Sequence, residues 1–147
     1  MELSAVAEVC LALRARRLAR KVSRLYDSAF ASLGLDSSQF NILTVIGAGT
    51  PTPLIDVSSV LDLDPSTLSR TIKVLEARGY ISVSGGRGRS GLSLALTERG
   101  QDVMTEAVGA WQRVQAKIAL SLGEAEVGRI IESFDRLEQA TIQNEQF

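Results

Sequence analysis

Apolar residues recur at three- and four-residue steps over residues 5–33. Leu11, Ala15, Leu18, Val22, Leu25, Tyr26, Ala29 and Leu33 share one face, and Arg16, Arg17, Arg20, Lys21 and Arg24 fall on the other side. The spacing predicts one long helix that stops at Gly34. Asp36-Ser37-Ser38 supplies capping side chains for a second helix, with Phe40, Leu43, Val45 and Ile46 as its apolar surface and Gly49 as its end. Thr50-Pro51-Thr52-Pro53 is too proline-rich for a helix interior. It predicts a short extended piece leading to a Thr52 N-cap with Pro53 at the first helical position. A third, short helix over residues 53–61 turns Leu54, Val57, Val60 and Leu61 inward. Asp64 as N-cap and Pro65 at N1 open a fourth helix that runs to Arg78 and closes at Gly79.

Two alternating stretches follow, Tyr80-Ile81-Ser82-Val83-Ser84 and Leu92-Ser93-Leu94-Ala95-Leu96, and predict a pair of strands. The Gly/Arg/Ser segment between them has hairpin chemistry but exceeds a two-residue turn. Thr97 caps a further helix that carries Glu98 in its first turn and runs to Leu120. After Gly123-Glu124, a last helix to Thr141 places Val127, Ile130, Ile131, Phe134 and Leu137 in one stripe. No repeat and no long linker divides the chain, so residues 1–147 are expected to form a single domain. The fold class is mainly α with a small β-wing (α+β).

Composition narrows the chemistry. With 147 residues, 45% apolar and 22% charged, the chain has ordinary globular make-up. It has no histidine, which removes the commonest general base and metal ligand. A single cysteine, Cys10, excludes an intramolecular disulfide and fits a reducing cytoplasm. The glycines at 85, 86, 88 and 91 lack phosphate-loop spacing. Catalysis, a metal site and a cofactor are therefore not expected. The N-terminal residues put acids before the first base, unlike a secretory signal. No apolar run reaches the ~18 residues of a membrane span.

Charge changes the picture through its distribution. Net charge is −1. Residues 64–91 nevertheless carry Arg70, Lys73, Arg78, Arg87 and Arg89 against only Asp64 and Glu76, a basic segment in an otherwise acidic chain. On the fourth helix, Leu68, Ile72 and Leu75 lie at i, i+4 and i+7 and form the anchoring row. Ser66, Arg70 and Lys73 then face away, with Thr67 and Ser69 on the flanks. Small hydroxyls let a backbone enter the major groove, and the N–H groups at the helix start favour a phosphate. Arg70 is suited to a bidentate bond to guanine. The acid-free loop Ser84-Gly-Gly-Arg-Gly-Arg-Ser-Gly91 suits a narrow minor groove through Arg87 and Arg89. Two short helices, a tight turn, two strands and a basic loop make up the order of a winged helix-turn-helix.

The run from Asp64 to Ile81, Asp-Pro-Ser-Thr-Leu-Ser-Arg-Thr-Ile-Lys-Val-Leu-Glu-Ala-Arg-Gly-Tyr-Ile, resembles the recognition helix and following strand of the MarR (multiple antibiotic resistance regulator) family. Leu94-Ala-Leu-Thr-Glu-Arg-Gly100 is similar to the family's post-wing strand and helix start. Leu25-Tyr26, Gly34-Leu35, Gln39-Phe40 and the stretch from Leu122-Gly123-Glu124 also fit. The resemblance implies a homodimer on a pseudo-palindromic operator in double-stranded DNA, with repression relieved by a small-molecule effector or by oxidation. It implies a DNA-binding part at 36–100 and dimerisation helices at 1–35 and 101–147. It also implies Ser66, Thr67, Ser69 and Arg70 as recognition-helix contacts and Arg87 and Arg89 as wing contacts. One departure stands out: the family's acid before a wing arginine is replaced here by Gly88, and no acid lies between Ser82 and Ala95.

Other readings remain open at this level. The resemblance also makes Cys10 a candidate redox thiol, since some family members sense peroxide through a cysteine in this helix assisted by tyrosines. Here Arg14 and Arg24 stand four and fourteen positions on, Tyr26 is out of register, and a nearby cation would lower the thiol pKa. A buried, inert cysteine is the simpler expectation. The basic face of the first helix is read as solvated or paired with acids such as Glu132, Asp135 and Glu138. A dimeric ligand-binding or protein-interaction module with a degenerate DNA face is the alternative to a sequence-specific regulator.

Overall fold

The computed structural model describes residues 3–49, 51–86 and 91–144. They fall into two compact units, Met1–Ala110 and Trp111–Phe147. The first holds α1 (Leu3–Val9), α2 (Leu11–Phe30), a 3-10 turn (Ala31–Leu33), α3 (Ser37–Ala48), β1 (Thr52–Pro53), α4 (Leu54–Val60), α5 (Pro65–Ala77), β2 (Ile81–Gly85), β3 (Leu92–Leu96) and the start of α6 (Glu98–Leu122). The second holds the rest of α6 and α7 (Glu124–Gln143).

The expected continuous first helix is interrupted. Cys10 is extended, with φ −68° and ψ 109°, and separates α1 from α2. The Glu8 carbonyl lies at the break and accepts from the Arg14 guanidinium, 2.8 Å from Nε. A spacing argument sees only which residues share a face, and this side-chain bond lies outside it. At its far end α2 enters the core through aromatic packing. The Phe30 ring stacks on Phe40 of α3 at 4.6 Å between centroids. Asp27 fixes the corner by accepting from the Ser37 amide at 2.7 Å.

α3 begins in a full capping box. Asp36 accepts from the Gln39 amide at 2.7 Å, and the Gln39 side chain accepts from the Asp36 amide at 3.3 Å. Its buried residues are Phe40, Ile42, Leu43 and Ile46. Thr52 and Pro53 form the extended piece that the prolines predict, but Pro53, not Thr52, is the residue before α4. The Thr52 side chain is buried and donates to the Ile46 carbonyl at 3.2 Å. Its strand is the edge of an antiparallel sheet ordered β1-β3-β2, where a proline leaves no ladder donor missing. In α4, Leu54 and Val57 are buried, whereas Val60 is 67% exposed, against the inward position expected for it. α4 ends at Val60, and the turn that follows redirects the chain. Asp62 there takes a positive φ of 46°, and Ser58 donates its hydroxyl to the Leu63 carbonyl at 2.9 Å.

β2 and β3 pair from Ile81↔Leu96 to Gly85↔Leu92. A Cβ on Gly85 would lie 2.0 Å from the Gly91 carbonyl oxygen, so the neck of the hairpin requires glycine. Beyond β3, Thr97 closes the structure onto α6. Its hydroxyl donates to the Gly79 carbonyl at 2.6 Å and accepts from the Gly100 amide at 3.0 Å. Its own amide donates to the Tyr80 carbonyl at 3.0 Å. The first turn of α6 lies so close to the residue before β2 that a Cβ on Gly100 would be 1.9 Å from the Tyr80 oxygen. Arg99 covers the Tyr80 ring at 5.5 Å. Among the described residues, no helix is long and apolar enough to cross a membrane.

Gly100→Ala is expected to destabilise the chain by roughly 1–3 kcal/mol through overpacking, despite alanine's better helix propensity. Gly128→Ala, where a Cβ meets nothing within 4 Å, should be neutral or stabilising. Urea unfolding of both variants checks this, and equal stability of the two would contradict the close approach.

Candidate nucleic-acid interface

The candidate surface is built on α5. Leu68, Ile72 and Leu75 are buried, each 5% exposed or less, and hold the helix against the core. Full burial of such a side chain stabilises by roughly 1.5–3 kcal/mol, so this row fixes the helix's rotation about its own axis. Ser66, Thr67, Arg70 and Lys73 are exposed on the other face, and Ser69 is half-buried on its flank. The five α5 residues singled out by sequence are thus brought onto one surface. Val74, 42% exposed, extends it with an apolar patch that the sequence reading did not name. Its place one step beyond Lys73, off the buried row, is the signal that would have found it.

Both ends of α5 are tied down. At its start, Asp64 Oδ2 accepts from the Ser66 amide at 3.0 Å, from the Thr67 amide at 3.1 Å and from the Ser66 hydroxyl. At its end, Gly79 has φ +73°, and the C-capping Arg78 donates to the Gly34 carbonyl, linking the helix to the corner between α2 and α3. The Arg70 Nε rests on the Ser66 carbonyl at 3.3 Å. Its terminal nitrogens remain the pair that a bidentate acceptor would use.

The expectation that the α5 amides would receive a phosphate is corrected by this geometry. The Ser66 and Thr67 amides are already bonded to the Asp64 carboxylate. The negative charge at that end opposes a second anion. A residue chosen as an N-cap consumes the very donors that an uncapped helix start would offer. The Ser66 hydroxyl first, and the Thr67 amide next, hold the Asp64 carboxyl below its ordinary value of 3.8.

The hairpin brings its strands together at Gly86 and Gly91, where the Gly86 amide donates to the Gly91 carbonyl at 3.2 Å. Arg87 and Arg89 lie outside the described residues. Cys10 is a free, half-buried thiol at the break between α1 and α2, not the fully buried one expected. Arg16, Arg17, Arg20, Lys21 and Arg24 are exposed, and the ion pair found among the described residues is Arg129 with Glu126, 2.9 Å from Nε.

Residues 33–90 match the model of the MarR family. The chain is 27% identical to the transcriptional regulator MosR of M. tuberculosis, solved in complex with DNA, over 92% of this chain and 98% of that one, with a TM-score of 0.81. A mutant MarR from E. coli complexed with operator DNA is 18% identical, over 90% of this chain and 96% of its own, with a TM-score of 0.80. A MarR/EmrR family regulator from Acinetobacter sp. ADP1 is 23% identical, over 97% and 99%, with a TM-score of 0.79. At those lower identities the last two establish the shared fold. No curated protein matches the sequence.

A lowered folded pKa means that Asp64 contributes stability when ionised, fully above pH 3.8 and progressively less as pH falls through the lower folded value. Asp64→Asn should therefore melt below the parent at neutral pH, and this deficit should shrink below about pH 3.8. Thermal melts from pH 7 to acid measure it. A deficit that stays constant across that range would contradict the charged cap.

Proposed function

We propose that this protein is a winged-helix regulator of the MarR family, a ligand-responsive repressor that binds a pseudo-palindromic operator as a homodimer. The observation that carries the reading is the exposed face of α5, with Ser66, Thr67, Arg70 and Lys73 turned outward by the burial of Leu68, Ile72 and Leu75. A helix with short polar side chains first and cations beyond fits the major groove, where side chains reach base edges. Arg70 reads a base, Lys73 and the flanking Ser69 hold the backbone, and Thr67, at the acidic leading end, faces the bases. Arg87 and Arg89, between the paired strands, enter the neighbouring minor groove. The MosR structure in complex with DNA supports this use of the fold.

Self-association is supported by apolar surface that the chain leaves uncovered. Leu11, Leu18, Val22 and Leu25 share one face of α2 and are each 38–61% exposed. In the other unit, Ile131 and Phe134 of α7 are more than half exposed. Such stripes mark surfaces that another chain covers. We assign residues 36–100 to DNA binding and residues 1–35 and 101–147 to dimerisation. A two-fold dimer presents two copies of α5 to successive major-groove faces about one DNA turn apart.

Arg70→Ala is expected to lose roughly 1–3 kcal/mol of operator affinity without changing the dimeric mass in sedimentation. Fluorescence anisotropy on a selected duplex measures the loss. Unchanged affinity would remove Arg70 from the reading face, and a monomeric parent would remove the homodimer.

A further inference from the structure

We infer that the exposed face of α5 is polarised along its axis, accepting hydrogen bonds at Asp64 and Ser66 and donating them at Arg70 and Lys73, so that each half-site carries an exocyclic amino group about one to two base-pair steps from a guanine. This rests on the DNA-binding reading and specifies which base edges the helix selects. The independent pointer to a nucleic-acid ligand is the 27%-identical regulator solved in complex with DNA.

A serine hydroxyl has one proton and two lone pairs. The Ser66 proton goes to Asp64, leaving lone pairs alone to face outward. Asp64 does not easily release that proton by turning away, because its Oδ2 is also held by the Ser66 and Thr67 amides at 3.0 and 3.1 Å. An ionised carboxylate is likewise acceptor-only. The leading end of α5 therefore opposes phosphate and offers no proton to a keto group. In the major groove adenine and cytosine present amino donors, whereas guanine O6 and N7 and thymine O4 are acceptors. Ser66 thus fits adenine or cytosine and disfavours guanine or thymine.

Four residues further on the polarity reverses. Arg70 and Lys73 carry donors only. The helical rise of 1.5 Å per residue places Arg70 about 6 Å beyond Ser66 along the axis. Because a helix in the major groove follows the groove, where each step is longer than the ~3.4 Å axial rise, this is about one to two base-pair steps. The acceptor end rejects a phosphate and a keto base, so selection works by exclusion as well as by attraction. Asp64 acts here as a positioning residue, by fixing where the Ser66 proton points.

The test selects binding sites from a pool of random duplexes with the full chain, then repeats the selection with Ser66→Ala, Asp64→Ala and Arg70→Ala. The expected half-site has adenine or cytosine at a position that relaxes in Ser66→Ala and not in Arg70→Ala, and guanine about one to two steps away that relaxes only in Arg70→Ala. Asp64→Ala, which removes the acceptor of the Ser66 proton, should admit a keto base at the first position. Replacing the amino base by its analogue without the amino group (purine for adenine, 2-pyrimidinone for cytosine) should weaken the parent about five- to tenfold, the worth of one hydrogen bond, and leave Ser66→Ala unaffected. A keto base at the Ser66-dependent position, no Ser66-dependent position, or a parent indifferent to loss of the amino group overturns the inference. In each case an Arg70-dependent guanine leaves the repressor reading standing. Selection that enriches no sequence overturns both.

Discussion

Burying one row of a helix decides what the opposite row meets. In α5 the buried row is Leu68, Ile72 and Leu75, and the opposite row is Ser66, Arg70 and Lys73. Apolar burial therefore sets the orientation of the polar side chains before any ligand arrives. The remaining elements of the first unit keep this helix in place. Phe40, Leu43 and Ile46 of α3 belong to the same buried core as its inward row, the Asp62 turn precedes the helix, and Arg78 ties its end to Gly34. Thr97 and Gly100 join the turn between α5 and β2 to the first turn of α6 by a contact that admits no side-chain atom. The proposed reading of DNA would need this rigidity, because a helix free to roll would average its donors and acceptors over several base edges.

Much of this was legible in the amino-acid order because caps and buried rows are local. Asp64-Pro65 announces the start of α5, and Asp36 with Gln39 that of α3. Gly34 and Gly79 sit at positive φ where the chain leaves a helix. The alternation in residues 80–84 and 92–96 predicted strands that are observed at Ile81–Gly85, one residue later, and at Leu92–Leu96. The outward face of α5 followed from the buried row by geometry alone.

What escaped the sequence reading depends on contacts that spacing does not encode. The break at Cys10 comes with a bond from the Arg14 side chain to a main-chain oxygen six residues back. Val60 fits the period of its helix yet is exposed, because α4 ends there and the chain turns away. Pro53 follows Thr52 into the sheet, since pairing with β3 outweighs the capping role that the local order suggests. At the start of α5 the cap was recognised but its consequence was not: a carboxylate that satisfies the amides also removes them from a phosphate. That consequence turns the helix start from an anion cradle into a surface that excludes anions.

The central claim is that α5 and the arginine-bearing hairpin of a self-associated chain engage duplex DNA. It is tested most directly by titrating a labelled duplex with the purified chain at a series of salt concentrations. The account predicts tight binding in dilute buffer, with log affinity falling linearly against log salt by about 0.9 for each phosphate neutralised. Failure to bind in dilute buffer, or an affinity indifferent to salt, would contradict it.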